Sequence, residues 1–183
     1  MKLLSLALAA LFLTASLSAA DMAATPGLAV GTKAPDFTLK NAAGDDVALS
    51  ALLKKGKVAL VFYRSADWCP FCKKQLQDLQ KSLSEIAATG VQLVGISYDA
   101  PATSAAAAAK LGLTFPLLTD AGSKVIDAYG IRNPDAKGKS AGVPQPVLFI
   151  LDQQGIIRVK LAREGYRERP EVVELIAGVK SMN

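Results

Sequence analysis

The sequence predicts an α/β chain, a central mixed sheet covered by helices on both faces. Three observations predict it. Residues 58–63 are continuously apolar and β-prone, the pattern of a strand buried on both faces, and 91–97 and 147–151 read as two further buried strands. Segments of helical periodicity alternate with these runs, as in a layered α/β domain. A turn signal at Asp152-Gln-Gln-Gly155 then leads into an alternating segment, residues 157–161, that reads as a half-exposed antiparallel strand.

Each further element follows in chain order. Residues 1–20 read as a secretory signal. Lys2 supplies the positive start, Leu3 to Leu17 the apolar run, and Ser18-Ala-Ala20 the small residues before a cleavage point. That run is shorter than the roughly 20 residues of a membrane-spanning helix. Residues 21–30 are small and punctuated by Pro and Gly, so a flexible leader is expected before a single domain over 31–183. Residues 37–40 and 47–49 read as an N-terminal β-hairpin. In residues 70–88, Cys72, Leu76, Leu79, Leu83 and Ile86 recur at steps of four and three, the apolar stripe of one helix. Pro70 suits its first turn, where a missing N–H costs nothing. Residues 101–111 read as a helix between Pro101 and Gly112, 117–119 as a short strand, and 123–129 as a helix stopped by Gly130. A long loop spans 131–145, and residues 170–179 close the chain as a helix.

Composition narrows the chemistry. The formal charge is +5, falls to +4 once Lys2 is removed, and is scattered in solvated turns. No basic stripe with interleaved aromatics is present, so nucleic acid is not an expected partner, nor is a membrane after signal cleavage. There is no histidine, which removes Ser-His and Cys-His nucleophiles and argues against zinc or copper. No metal and no other cofactor is expected.

The chain has two cysteines, and they stand as Cys69-Pro-Phe-Cys72 between an apolar strand and an amphipathic helix. Two thiols at this spacing can exchange between dithiol and disulfide. A helix N-terminus favours a thiolate, so Cys69, just before the helix, reads as the exposed attacking thiol and Cys72 as the interior one. A structural disulfide would gain little from so short a loop, and two thiolates are half a tetrahedral metal site. Redox chemistry in an oxidising compartment is the stronger reading. Trp68 and Phe71 flank the thiols as core packing or as an apolar rim for a partner. Arg64 reads as a residue that tunes them or as a surface salt-bridging charge. Pro146 precedes a buried strand; by sequence physics alone its peptide is an ordinary trans bond.

Several motifs together resemble the thioredoxin-fold redoxins of the peroxiredoxin-like branch, the alkyl hydroperoxide reductase and thiol-specific antioxidant family. They are Gly31-Thr-Lys-Ala-Pro-Asp-Phe-Thr38, Val61-Phe-Tyr63 with Asp67-Trp-Cys-Pro-Phe-Cys72, Ile96-Ser-Tyr-Asp99, Leu113-Thr-Phe-Pro-Leu-Leu-Thr-Asp120, and Pro146-Val-Leu-Phe-Ile-Leu-Asp152. The resemblance implies a thioredoxin-like fold and a Cys69–Cys72 redox pair. It also implies two competing assignments. In a thioredoxin-like reductase Cys69 is the nucleophile and Pro146 is a cis-proline facing the pair. In a peroxiredoxin Cys72 sits where the peroxidatic cysteine stands, Cys69 replaces a Thr or Ser, and Arg64 would substitute for the arginine that polarises peroxide. The leading expectation is an exported, periplasmic thiol-disulfide oxidoreductase. The alternatives are a thiol-dependent peroxidase with Cys72 peroxidatic and Cys69 resolving, and a binding module stapled by its disulfide. The expected partners are protein disulfides or dithiols, or hydroperoxides, with an external thiol as electron donor.

Overall fold

The computed structural model describes residues 25–163, 165 and 167–182. The expected signal segment and residues 21–24 of the expected leader lie outside the described residues. Seven strands form one mixed sheet: β1 (Thr38–Asn41), β2 (Asp46–Ala48), β3 (Lys57–Phe62), β4 (Val91–Ser97), β5 (Leu117–Thr119), β6 (Val147–Leu151) and β7 (Ile157–Ala162). Their order is β2-β1-β5-β4-β3-β6-β7. The three central strands β5, β4 and β3 run parallel, while β6, β7 and the N-terminal hairpin are antiparallel additions at the two edges. The mixed sheet and the hairpin are as the sequence predicts.

The helices are α1 (Leu49–Leu53), α2 (Pro70–Lys81), α3 (Leu83–Ala88), α4 (Pro101–Leu111), α5 (Lys124–Ala128) and α6 (Val172–Lys180), with a 3-10 turn at Gly138–Ser140. Along β3 the side chains alternate between two cores. Ala59, Val61 and Tyr63 face the layer that holds Cys69, Cys72, Leu76, Leu79, Ile86, Ala107 and Leu175, contributed by α2, α3, α4 and α6. Val58, Leu60 and Phe62 face the layer of Leu49, Leu52, Ile126 and Tyr129. Helices therefore cover both faces, and the thiols belong to the first layer.

Three boundaries differ from the periodicity reading. The stripe predicted as one helix over 70–88 is broken at Ser82, whose φ of −101° and ψ of 12° leave the helical region. Serine is a weak helix-interior residue. The chain bends there, and Ile86 is still fully buried in the same layer as Leu76 and Leu79. The last helix starts at Val172 rather than at residue 170, because Glu171 and Glu174 close a capping box. Helix α1 is an addition: Leu49 and Leu52, three apart, are buried on one face of a short turn that periodicity alone did not mark.

The second layer is locked by aromatics. The Phe62, Tyr129 and Phe149 rings lie 5.1 to 6.0 Å apart, centroid to centroid, and all three are buried. Phe149→Ala should cost about 3–5 kcal/mol, the range for removing a fully buried phenylalanine, measured by urea unfolding of the reduced protein. A loss well under 1 kcal/mol would show that this layer is not tightly packed.

Candidate redox-active site

The site is built at the end of β3, where the chain turns into α2. Tyr63 keeps its ladder hydrogen bond to Ile96 (3.0 Å) and is fully buried. The next residues form a tight loop held by β4. The Asp99 carboxylate, just beyond β4, accepts the Ala66 N–H at 2.8 Å and the Ser97 hydroxyl at 3.1 Å. Ser65 Oγ accepts the N–H groups of Asp67 (3.0 Å) and Trp68 (3.4 Å). Ser65, Ser97 and Asp99 are all buried, so this hydrogen-bonded clamp is shielded from water. Burial pushes the Asp99 carboxyl above the ordinary carboxylate range, and the donors around it act in the opposite direction.

Helix α2 then begins with Cys69 as its N-cap and Pro70 in the first turn. The Cys69 sulfur accepts the Cys72 N–H at 3.3 Å, the contact that a Ser or Thr hydroxyl makes at other helix starts. Cys72 opens the buried stripe, as the spacing predicts. Both residues are free thiols. Cys69 is not the exposed thiol expected of it: it is 1% exposed, and Cys72 is 0% exposed. The reason is tertiary. Cys69 packs into the same layer as Ala66, Leu76 and Leu148.

A guanidinium reaches both sulfurs, and it belongs to Arg169. One of its terminal nitrogens lies 3.4 Å from Cys72 Sγ and 3.9 Å from Cys69 Sγ. Arg169 stands in the connection between β7 and α6. That connection is tied down by the buried Pro170, by Glu171 N–H donating to Glu174 at 2.8 Å, and by an ion pair between Arg163 and Glu174. Arg169 comes from some hundred residues beyond the thiols, so no local pattern in the sequence marks it. The sole cue was an arginine in a capped helix entrance.

The electrostatics separate the two thiols. Cys72 is lowered to about 6 by the hydrogen bond from the Cys69 thiol, by the Ser65 backbone N–H, and by the Arg169 guanidinium, against the opposing effect of burial. Cys69 is pushed up, first by keeping its proton in that hydrogen bond to Cys72 and then by burial. The pair shares one thiolate, and the guanidinium, nearer to Cys72 at 3.4 Å than to Cys69 at 3.9 Å, biases that charge toward Cys72. The helix end favours charge on Cys69, and the nearer guanidinium favours it on Cys72.

The other predicted residues fall around the pair. Trp68 is 42% exposed and Phe71 37%, so both line the rim rather than the core. The Arg64 guanidinium lies over the Trp68 ring, 4.7 Å from its centroid, and the Trp68 indole N–H donates to the Tyr98 hydroxyl at 3.1 Å. Pro146 is buried and its peptide is trans, as no described residue has a cis bond; the cis-proline implied by resemblance is not present. It lines a groove with Pro26, Asn133, Gln145 and Arg163, none of them a cysteine. Among the described residues no cluster of three metal-ligating side chains occurs.

Arg169 favours the charged form of Cys72, so its removal must raise the Cys72 pKa. In the reduced protein, thiolate absorbance should rise by one thiolate as pH increases through about 6. In Arg169→Leu the midpoint should move up toward the ordinary thiol value of about 8.5. An unmoved midpoint would show that Arg169 does not act on the sulfur.

Comparison with known proteins agrees with this architecture. The AhpC/TSA family profile matches residues 30–160. The chain is 32% identical to the chloroplastic peroxiredoxin Q of Sedum lineare, covering 82% of this chain and 78% of that protein. It is also 32% identical to the thiol-disulfide oxidoreductase ResA of Halalkalibacterium halodurans, over 80% of this chain and 76% of that protein. Among solved structures, peroxidoxin BcpB of Mycobacterium tuberculosis superposes with a TM-score of 0.75 at 25% identity, covering 84% of this chain and 97% of that one. The chain belongs to the AhpC/TSA family and is an oxidoreductase, a peroxiredoxin-like redoxin on a thioredoxin-like fold.

Proposed function

We propose that the protein is a thiol-dependent peroxidase in which Cys72 is the peroxidatic cysteine and Cys69 the resolving one. The observation that carries this reading is the Arg169 guanidinium, which lies 3.4 Å from the buried Cys72 sulfur and 3.9 Å from Cys69. Both thiols are closed to a large partner, and the groove lined by Phe71, Gln75, Leu79 and Arg169 offers a small hydroperoxide an approach to the guanidinium at the sulfurs. The similarity to peroxiredoxin Q supports the same reaction.

The chemistry balances within the pair. The Cys72 thiolate attacks the terminal oxygen of the hydroperoxide, and the O–O bond breaks. The peroxide is reduced to an alcohol or water, its leaving oxygen taking a proton from solvent, and Cys72 becomes a sulfenic acid. The Arg169 guanidinium sits where negative charge spreads over sulfur and oxygen, so it stabilises that charge as it shifts. The Cys69 sulfur, losing its proton, then attacks the Cys72 sulfur. Hydroxide leaves, takes up that proton as water, and the Cys69–Cys72 disulfide closes. An external dithiol returns the pair to the reduced state.

A second reading, disulfide exchange initiated by Cys69, is favoured by the CxxC spacing and by the similarity to ResA. It requires Cys69 to be the first nucleophile. We place the protein outside the cytoplasm, on the signal-like pattern of residues 1–20 and on the use of two cysteines as a redox pair.

Stopped-flow mixing with hydrogen peroxide, read by fluorescence of the single tryptophan, Trp68, separates the two readings. The fast phase should survive Cys69→Ser and disappear in Cys72→Ser. Arg169→Leu should slow it about 100-fold, the loss typical when one charge-stabilising donor is removed. Loss of the first oxidation in Cys69→Ser with retention in Cys72→Ser would reverse the roles and favour disulfide exchange.

A further inference from the structure

We propose that the face beside Cys69, built on Trp68 and rimmed by Arg64, Lys137 and Lys139, is the docking site of the electron donor, a dithiol protein that carries acidic residues beside its thiols. The inference rests on the redox pair of the preceding section, and it concerns the half-reaction that reopens the disulfide.

Three observations carry it. Among the described residues, four large apolar side chains are exposed, and two of them, Trp68 and Phe71, flank the thiols. Exposed aromatics beside a reactive pair are the anchors that protein interfaces favour. Second, Trp68 is held in place rather than loose. The Arg64 guanidinium covers its ring, its indole N–H donates to Tyr98, and the Tyr98 hydroxyl donates to the Lys139 carbonyl at 3.1 Å. That chain of contacts ties the 3-10 turn at Gly138–Ser140 to the thiol loop. Third, the groove between them, lined by Arg64, Asp67, Trp68, Tyr98, Lys137, Lys139 and Ser140, carries three cations against one carboxylate. Lys137 and Lys139 are exposed, and neither is in an ion pair among the described residues. A positive rim around an aromatic platform complements an acidic partner and raises its rate of encounter.

The direction of the exchange agrees with the position of the patch. Trp68 directly precedes Cys69, so a donor seated there reaches the Cys69 sulfur once the segment that buries it in the dithiol form has opened. The donor thiolate attacks Cys69, the Cys69–Cys72 bond breaks, and Cys72 leaves as the thiolate that Arg169 stabilises. The lower-pKa thiol is the better leaving group. The donor's second thiol then attacks the mixed disulfide, Cys69 leaves and takes a proton, and the donor departs oxidised by two electrons.

The test uses the full protein, oxidised to the disulfide with diamide, so it does not depend on peroxidase activity. Two synthetic peptides containing Cys-Gly-Pro-Cys, one flanked by glutamates and one by lysines, serve as reductants beside uncharged dithiothreitol. At low salt the acidic peptide should react about tenfold faster or more. That advantage should collapse in 0.5 M NaCl, where screening acts within a few ångströms, and in the double variant K137E/K139E, while the dithiothreitol rate stays at the unsubstituted value. Equal rates for the two peptides, an advantage insensitive to both salt and charge reversal, or a parallel fall in the dithiothreitol rate would overturn the proposal. Failure of the peroxide phase with the peptide preference intact would overturn the peroxidase reading alone.

Discussion

A pair of thiols buried in a hydrophobic layer against a guanidinium is the constraint around which the rest of this structure is arranged. An uncompensated charge in such a place would simply take up a proton. Here the Cys69 thiol, the Ser65 backbone N–H and the Arg169 guanidinium converge on one sulfur, and together they outweigh burial. Each comes from a different part of the fold: the helix cap, the loop after β3, and the connection into α6. The charge therefore exists only when β3, α2 and the β7–α6 connection are assembled, so the reactivity of the thiol belongs to the folded domain and not to the motif.

The Asp99 clamp is the support beneath that arrangement. Its carboxylate joins the end of β4 to the loop that delivers Ser65 and Cys69, through the Ala66 N–H and the Ser97 hydroxyl. A loop of this kind would ordinarily lie at the surface with water satisfying its backbone. Burying it places a sulfur at a defined point, and the cost of burying its N–H groups is offset by a buried acceptor. The parallel pairing of β3 with β4 sets the register that brings Asp99 under Ala66. Sheet topology and thiol chemistry are thus coupled through one carboxylate.

The motif has two different faces. The sulfurs are buried, whereas Trp68 and Phe71 are exposed. Cys69 and Cys72 lie on the buried side of the helix start, while Phe71, one position away, lies on the other. The relatives it is similar to include both a peroxiredoxin and a thiol-disulfide oxidoreductase.

The sequence by itself determined what is local or periodic. The runs at 58–63, 91–97 and 147–151 specify buried strands because their side chains are apolar on both faces. Pro70, Pro101 and Gly112 mark helix ends because proline and glycine constrain the backbone at their own positions, and these ends stand in the structure. The pair Cys69 and Cys72 marks the site because three-residue spacing at a helix start places two sulfurs together. Only the tertiary structure decided which distant charge meets the thiols. Cys69 is nearer the helix end, yet it is buried in the layer of Ala66, Leu76 and Leu148, and Arg169, far along the chain, lies 3.4 Å from Cys72 and 3.9 Å from Cys69. The break at Ser82 and the trans peptide of Pro146 were decided at the same level. Burial and long-range charge depend on which distant segments meet, and a pattern read a few residues at a time does not contain that information.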